Sequence, residues 1–280
     1  MKPTRGLTGA FAATLLAAAL SPFPAANATA VSQADCMSSS HPALAARLTS
    51  DIQAARRDRV SLVALEVDDP GLGLVCRLDS SRHFDSASVV KVTIAAALLR
   101  RAQDQHKDLT KTEAGLARAM ITRSDNGAAS ALWADLGRRY LQRFLDLAGM
   151  THTALGPGDA WGLTQITAAD EMLLLRLLQD ENPVLDASSR DYVLDLMAEV
   201  VPSQRWGVTY GSPAGLTAHV KNGWLPLVPG GWRIHSIGCF TGRAGGYRTV
   251  VLTQDNPTMA YGIATIEAIA QKINRDLAAG

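Results

Sequence analysis

A long block of helical patterns lies between two groups of strand patterns, and this order constrains the fold more than any other feature. From Ser88 to about Val200, apolar residues recur at helical spacing in one segment after another, at 89–102, 110–123, 127–136, 138–147, 167–178 and 187–200. Thr110 and Glu113 have the spacing of a capping box at the start of the second of these helices. Five segments outside this block have the pattern of strands: 60–67, 72–78, 216–225, 232–240 and 247–253. An amphipathic helix at 42–57 precedes the strands, and another at about 260–277 closes the chain.

This order of elements predicts an α/β (α+β) fold, in which an antiparallel five-stranded sheet is flanked by the terminal helices. The helical block forms an all-helical lobe inserted between the second and third strands. We place the sheet lobe at residues 31–87 and 212–280, and the helical lobe at residues 88–211. A cleft between two such lobes is the natural place for a binding site.

The first thirty residues have the pattern of a secretory signal peptide. Lys2 and Arg5 give a positive start, the stretch 6–20 is almost wholly apolar, and residues 28–30 offer a small-residue cleavage site. The apolar run is shorter than the roughly 18–20 residues that a membrane span needs, and two prolines follow it. No cysteine directly follows this site, which argues against a lipid anchor. We therefore expect a secreted protein whose mature domain is 31–280, located outside the cell or in the cell-wall or periplasmic space.

Charge and composition narrow the choice of partners. The chain has 27 Lys and Arg against 26 Asp and Glu, a formal net charge of +1. Cleavage after residue 30 removes two positive charges and no acids, which leaves 250 residues (280 minus 30) with a net charge of −1. A near-neutral chain without basic runs argues against nucleic acid as a partner, and no later segment is apolar enough to cross a membrane. We expect a monomer that acts on a small molecule.

Three cysteines, Cys36, Cys76 and Cys239, lie far apart and show no metal-ligand spacing, so we expect no metal site. An exported protein of this kind can hold one disulfide and one free thiol, but the sequence does not identify the pair. Cys76 and Cys239 lie in apolar, strand-like runs, so buried free thiols are an equal alternative.

Three short motifs follow one another along the chain: Ser88-Val89-Val90-Lys91, Ser124-Asp125-Asn126 and Lys221-Asn222-Gly223. This set resembles the three motifs that occur, in the same order, in active-site serine enzymes acting on β-lactams and peptidoglycan peptides. Each motif is common by chance, but the ordered set is specific. The third departs from the usual Lys-Thr-Gly because Asn222 replaces the threonine.

On these motifs and on its order of elements, the chain resembles the class A β-lactamases and penicillin-binding proteins, over most of its length beyond the N-terminal segment. The resemblance implies a β-lactamase/transpeptidase-like fold. It also implies a serine hydrolase, without a cofactor, that is acylated by β-lactams or by related amides and esters.

The resemblance makes Ser88 the catalytic nucleophile and Lys91 its general base. A serine hydroxyl needs an adjacent base, and Lys91 lies one helical turn further along. Apolar neighbours and the positive end of a helix both favour the neutral form of a lysine. The structural alternative makes Ser88 a helix cap and Lys91 a surface residue whose stem lies along the protein.

In the second motif, the resemblance makes Ser124 catalytic, relaying a proton between Lys91 and the leaving nitrogen. Asn126 then binds either a substrate amide or Lys91, and Asp125 braces the loop. The alternative is a plain turn between helices, since Ser, Asp, Asn and Gly are all turn formers.

In the third motif, the resemblance makes Lys221, Asn222, Gly223 and the adjacent Trp224 substrate-binding residues. Lys221 draws in a substrate carboxylate, and the backbone amides of Ser88 and Trp224 form an oxyanion hole. Asn222 replaces the threonine whose hydroxyl touches that carboxylate in the family, and Trp224 stands where a small residue is usual. We expect a narrower or differently shaped acceptor site.

A second departure concerns deacylation. Class A β-lactamases activate the deacylating water with a glutamate in an omega loop, but the matching stretch 151–167 contains no glutamate. Asp159 is its only acid, and His152 and Gln165 are its other polar candidates. For Asp159, a loop-solubilising role is the alternative to a catalytic base.

Other polar residues carry weaker signals. His219 and His235 lie in strand-like segments, where structural roles are favoured. Three arginines are candidates for binding a substrate carboxylate, with solvated surface charge as the alternative: Arg205, Arg233 and Arg243. Trp206 and Tyr210 either line the cleft or simply pack against other side chains.

The sequence therefore predicts an enzyme with a complete acylation apparatus and an impaired or altered deacylation apparatus. One alternative is a D-Ala-D-Ala peptidase or esterase of the penicillin-binding type. Another is a non-catalytic accessory protein that binds a β-lactam or a peptidoglycan fragment, because a fold does not fix a function.

Overall fold

An antiparallel sheet of six strands organises the computed structural model, which describes residues 32–227, 231–243 and 245–279. The strands of this sheet are β1 (Asp35–Ser38), β2 (Leu62–Asp69), β3 (Leu74–Leu78), β6 (Thr217–Leu227), β7 (Gly231–Gly242) and β8 (Gly245–Asn256). Their order across the sheet is β1-β3-β2-β8-β7-β6, and each neighbouring pair is antiparallel. The predicted signal peptide and its cleavage site lie outside the described residues.

The predicted five-stranded sheet is one strand short. The additional strand, β1, has only four residues, too few to show an alternating pattern in the sequence. Its position is fixed by pairing with β3, in which Cys36 lies opposite Cys76 and forms a disulfide with it. Cys239 is a buried free thiol. The helical insertion consequently follows the third strand in chain order rather than the second.

Within the described residues, seven α-helices accompany the sheet: α1 (Pro42–Arg56), α2 (Val90–Asp104), α3 (Lys111–Thr122), α4 (Asn126–Ala148), α5 (Ala168–Gln179), α6 (Ala187–Ala198) and α7 (Met259–Ala278). Within α4, Gly137 has φ +71° and ψ 151°, which divides the segment into the two helices that the sequence predicts there. Thr110 and Glu113 form the predicted capping box at the start of α3. Thr167 caps α5 by accepting a hydrogen bond from the Asp170 N–H.

The two terminal helices pack against each other, and α7 packs on β7 and β8. Its buried residues include Ile266, Ile269 and Ile273, whose spacing of three and four places them on one face of the helix. Helix α5 contacts β2, β7 and β8. None of the helices in the described ranges has the length and apolarity needed to cross a bilayer.

A small two-stranded sheet, separate from the main one, holds the chain that leads to Ser88. Its strands are β4 (Phe84–Asp85) and β5 (Gln165–Ile166), and Asp85 lies opposite Gln165. The Ser86 N–H donates to the Thr164 carbonyl at 2.8 Å, which extends the contact towards Ser88. The loop at 151–167 is thereby fastened beside the start of α2.

Candidate active site

Ser88 lies in a short turn of 3-10 helix, 87–89, that leads directly into α2. The preceding residue, Ala87, is buried and has φ +47°, a left-handed conformation that is uncommon for a residue with a Cβ. Backbone strain of this kind is found at functional sites, where the surrounding structure holds it in place. Ser88 itself is 9% exposed.

Gly223 on β6 makes close contact with the backbone around Ser88. A Cβ atom at this position would lie 2.9 Å from the Ser88 nitrogen and 3.1 Å from the Ser86 oxygen. Only glycine allows the strand to approach so closely, which gives the last residue of the third motif a steric reason. The contact brings β6 against the backbone amide of the candidate nucleophile.

Lys91 is fully buried, and its Nζ atom makes three hydrogen bonds. It donates to the Ser124 carbonyl at 2.6 Å, to the Ser124 Oγ at 3.1 Å and to the Asn126 Oδ1 at 2.7 Å. The alternative of a solvated surface lysine is therefore wrong. Burial lowers the pKa of Lys91 from its usual 10.5 to about 8, against the opposing effect of the Asp125 carboxylate.

Ser124 joins this lysine to the third motif. It adopts a left-handed conformation, with φ +57°, and its Oγ accepts a second hydrogen bond from the Lys221 Nζ at 3.0 Å. Lys221 is fully buried, and burial, followed by the charge of Lys91, holds its pKa well below the usual value. With both lone pairs of its oxygen occupied, the Ser124 hydroxyl remains free to donate its own proton.

The remaining two residues of the second motif have separate contacts. The Asp125 carboxylate accepts from the Ala128 N–H at 2.7 Å and so caps α4, in agreement with a bracing role. The Asn126 carbonyl binds Lys91, which is one of the two interactions expected of it. The structure thus brings Lys91, Ser124, Asn126 and Lys221 into one hydrogen-bonded group, which we call the lysine–serine network.

Asn222 and Trp224 alternate with Lys221 and Gly223 along β6, so they face the opposite side of the sheet. The Asn222 Nδ2 donates to the carbonyls of Gln204 and Trp206, at 2.9 Å each, while its Oδ1 is buried without a hydrogen-bond partner among the described residues. The rings of Trp206 and Trp224 have centroids 6.2 Å apart and planes tilted by 55°. A substrate-binding role for Asn222 and Trp224 stays a prediction.

The loop at 151–167 places an aromatic ring, not an acid, beside Lys91. The Lys91 Nζ lies 4.8 Å from the centroid of the Trp161 ring, within the range of a cation–π contact. The Trp161 indole N–H donates to the Ser130 Oγ at 3.1 Å, which anchors the ring to α4. The contact favours the protonated form of Lys91, whereas burial favours the neutral form.

The polar residues of this loop are directed elsewhere. Asp159 is exposed. His152 Nδ1 lies 3.5 Å from the Asp170 carboxylate, and the Gln165 Nε2 donates to Asp85 at 2.6 Å. Arg138 holds the loop backbone through hydrogen bonds to the carbonyls of residues 155 and 156. The backbone of the loop is therefore held in place, and the side chains of Asp159, His152 and Gln165 do not contact Lys91.

The two histidines have the contacts of structural residues. His219 is buried between the Leu194 carbonyl, at 2.7 Å, and the Thr241 hydroxyl, at 2.8 Å. His235 Nδ1 accepts from the Thr253 N–H at 3.1 Å, so its proton lies on Nε2, which donates to the Asp85 carbonyl. Burial lowers the pKa of His235 to about 4 and keeps the ring neutral.

The sequence model of the Beta-lactamase enzyme family matches residues 114–277, more than half of the chain. The chain belongs to this family. A mycobacterial protein named "Putative lipoprotein LppW", from Mycobacterium tuberculosis and Mycobacterium bovis, is 26% identical over 198 residues. The match covers 69% of this chain and 62% of that protein, so the chain spans less than two thirds of this relative.

Solved structures of β-lactamases and penicillin-binding proteins have the same fold. A class A β-lactamase from Bacteroides cellulosilyticus superposes with a TM-score of 0.73 at 17% identity, over 84% of this chain and 98% of the other. A variant of PBP-A, in an acyl-enzyme complex with penicillin G, gives a TM-score of 0.71 at 16% identity, over 84% and 97%. At such identities the likeness establishes the fold.

Three features of this family member are not evident from the motifs. The strained Ala87 leaves no mark in the sequence, because alanine carries no preference for positive φ. The contact of Trp161 with Lys91 joins positions 70 residues apart (161 minus 91). For the contact between Trp206 and Trp224, the sequence offers only Trp224, the large residue that follows the third motif. That Trp206 is its partner is known only from the structure.

Proposed function

We propose that this chain is an exported serine hydrolase that forms an acyl-enzyme at Ser88 and releases it slowly. The lysine–serine network carries the proposal, since it places a buried lysine of lowered pKa one helical turn from Ser88. The substrates are β-lactams or related amides and esters, which are small molecules.

In the acylation step, the Ser88 hydroxyl gives its proton to the neutral Lys91 amine as its oxygen attacks the carbonyl carbon. A bond forms between Oγ and carbon, and the bond from carbon to the leaving nitrogen or oxygen breaks. The proton reaches the leaving atom through the Ser124 hydroxyl, which accepts hydrogen bonds from both lysines. The backbone amides of Ser88 and Trp224 stabilise the developing oxyanion.

Slow release is supported by the loop at 151–167. Hydrolysis of the acyl-enzyme needs an activated water, and this loop contains no glutamate, while its one acid, Asp159, is exposed. The Trp161 ring covers Lys91, which is the other base available to such a water. We therefore expect the acyl group to form at Ser88 and to persist, because no side chain of this loop is placed to activate a water.

Export is supported by the N-terminal sequence and by the disulfide between Cys36 and Cys76, a bond that persists in oxidising compartments. The mycobacterial relative bears the name of a lipoprotein, a class of exported protein. In this chain the first cysteine beyond the predicted cleavage site, Cys36, is joined to Cys76 by that disulfide.

The proposal is tested by incubating the protein with excess penicillin G and measuring its intact mass. We expect one covalent adduct on the native protein and none on Ser88→Ala. Ser81→Ala, which changes an exposed serine outside α2, serves as the matched control and must still form the adduct. An adduct that survives Ser88→Ala contradicts the mechanism. Saturable binding without any adduct would instead identify a non-catalytic binding protein.

A further inference from the structure

The turn that carries Ser124 has an unusual backbone conformation. Ser124 lies between α3 and α4 with φ +57°, in the left-handed region that a residue with a Cβ seldom adopts. In this conformation its Oγ lies within hydrogen-bonding distance of both Lys91 and Lys221. A strained residue of this kind persists only where its surroundings fix it. The groups that fix Ser124 therefore contribute to the lysine–serine network.

The peptide group that follows Ser124 is held at both of its polar atoms. The Ser124 carbonyl accepts from the Lys91 Nζ at 2.6 Å, and the Asp125 N–H donates to the Ala119 carbonyl at 3.2 Å. Because a peptide group is planar, these two hydrogen bonds set the angle ψ of Ser124.

The peptide group that precedes Ser124 is held by Gln204, which lies outside the three motifs. Its carbonyl, that of Arg123, accepts a hydrogen bond from the Gln204 Nε2 at 3.1 Å. One residue earlier, the Thr122 carbonyl accepts from the Val201 N–H at 3.0 Å. The orientation of this second planar group sets the angle φ of Ser124, which is the strained angle. Gln204 thus acts on the torsion that departs from the ordinary range.

Asn222 in turn holds the segment that carries Gln204. Asn222 is fully buried on β6, and its Nδ2 donates to the carbonyls of Gln204 and Trp206 at 2.9 Å each. These bonds use both hydrogens of the amide nitrogen. A threonine, which is usual in the family at this position, has one hydroxyl hydrogen and could hold only one of the two carbonyls. The asparagine in the third motif therefore has a structural use in this chain.

We propose that Gln204 and Asn222 are positioning residues of the proton relay through Ser124. Asn222 fixes the segment that carries Gln204, and Gln204 holds Ser124 in the conformation in which its hydroxyl contacts both lysines. This role takes the place of the substrate contact that the resemblance implies for Asn222. The inference rests on the proposed acylation of Ser88 and adds to it two residues that act through Ser124.

A relay through Ser124 matters most when the leaving atom needs a proton. In acylation by penicillin G, the ring carbon–nitrogen bond breaks, the nitrogen takes the Ser124 hydroxyl proton, and Lys91 replaces that proton with the one it received from Ser88. In acylation by 4-nitrophenyl acetate, the carbon–oxygen bond breaks and 4-nitrophenolate departs as a stable anion, while the Ser88 proton stays on Lys91. A residue that positions the relay should therefore affect the first reaction more than the second, whereas a loss of folded protein affects both equally.

Gln204→Met tests the proposal, because it keeps the length of this half-buried side chain and removes its amide. Intact mass gives the rate of acylation by saturating penicillin G, and the burst of 4-nitrophenolate gives the rate with the ester. We expect the penicillin rate to fall about tenfold and the ester rate to change less than about twofold, as for a lost hydrogen bond that serves only the relay. The penicillin concentration that gives half of the maximal rate should not change. Gln142→Met, at an exposed glutamine of α4, is the matched control and should alter neither rate.

Two further variants test the chain of contacts. Asn222→Thr, which restores the residue usual in the family, should also lower the penicillin rate and spare the ester rate. In a Ser124→Ala background, which lacks the relay, Gln204→Met should cause no further loss, because two residues that act as one unit are not additive. Circular dichroism and thermal unfolding verify that the variants fold. If Asn222→Thr does not fold, or the ester gives no burst, the pair of Gln204→Met measurements with and without Ser124 decides.

An unchanged penicillin rate in Gln204→Met overturns the positioning role, and so do equal losses with both compounds or a full loss in the Ser124→Ala background. A faster reaction of Asn222→Thr with penicillin G would restore the substrate contact and overturn the role of Asn222. Each of these results leaves the acyl-enzyme proposal intact. If the native protein forms no adduct with penicillin G, the proposed function itself is wrong, and the inference falls with it.

Discussion

The lysine–serine network and the loop at 151–167 both lie beside the segment that contains Ser88, but they supply different chemical groups to the candidate site. The network consists of buried polar groups in which two lysines share one serine hydroxyl. The loop contributes an indole ring over Lys91, a set of backbone contacts and an exposed Asp159. Acylation needs a base beside the nucleophile, whereas deacylation needs a base beside a water. The two half-reactions can therefore be lost separately.

The largest effect is expected when the amine of Lys91 is removed from the lysine–serine network. Lys91→Met keeps a long apolar side chain but removes the amine, and the rate of adduct formation with penicillin G should fall about 10³-fold, within the usual range for a lost general base. Stopped-flow or quenched intact-mass kinetics measure it. Lys111→Met, on the exposed start of α3, is the matched control. A loss below tenfold would show that Lys91 is not the general base of acylation.

A buried acid just beyond the loop gives the second prediction. Glu171 in the first turn of α5 is fully buried, both of its oxygens lack partners among the described residues, and burial raises its pKa from 4.5 to about 8. Below pH 4.5 the folded and unfolded states are both protonated. As the pH rises to 8, the unfolded state ionises first, so stability is lost.

Glu171→Gln has no carboxyl group to ionise, so it avoids this loss of stability at higher pH. At pH 8 the variant should be more stable than the native protein by on the order of a few kcal/mol, at about 1.4 kcal/mol per pKa unit, and the difference should shrink towards pH 5. Urea unfolding at several pH values measures it. Glu181→Gln, at an exposed site, should show no such trend. The lifetime of the penicillin adduct should not change in Glu171→Gln. A longer lifetime in this variant would show that Glu171 acts as a base in deacylation, contrary to the proposal that the enzyme has no such base.

The smallest effect is expected from the contact between Trp161 of the loop and Lys91 of the lysine–serine network. The rate of acylation should rise with pH through the Lys91 pKa of about 8, because only the neutral amine accepts the Ser88 proton. Trp161→Leu keeps Lys91 covered but removes the cation–π contact, worth ~1–2 kcal/mol when desolvated. The midpoint of the pH profile should fall by about one unit.

Trp232→Leu, a half-buried tryptophan of β7, is the matched control for this shift. A midpoint that stays in place in Trp161→Leu would mean that the ring does not influence the charge of Lys91. A rise in the midpoint would mean that the ring acts mainly by excluding water.

Much of the fold follows from local signals. Each strand of five or more residues in the main sheet, each helix and the division of α4 near Gly137 were predicted within a few residues, since apolar periodicity and caps are written into the segments themselves. The exception, β1, is a four-residue strand whose position depends on its partner and on the Cys36–Cys76 disulfide. The sequence left that pairing open because a disulfide depends on distance in the fold.

The polar residues of the candidate site lie in the three motifs, whereas of its aromatic residues only Trp224 adjoins a motif. The three motifs predicted roles for Lys91, Ser124 and Lys221, and the structure joins these three side chains by hydrogen bonds. Trp161 and Trp206 belong to no motif, and packing alone explains most tryptophans in a sequence. Their positions over Lys91 and beside Trp224 depend on how distant segments meet.

The lifetime of the acyl-enzyme tests the central claim most directly. The native protein is acylated with penicillin G, the free compound is removed by rapid gel filtration, and the fraction that carries the adduct is followed by intact mass. The account predicts an adduct that forms on Ser88 and stays on most of the protein for hours at neutral pH. Return of the unmodified mass within seconds, with release of the hydrolysed penicillin, would show an efficient deacylation apparatus and would contradict it.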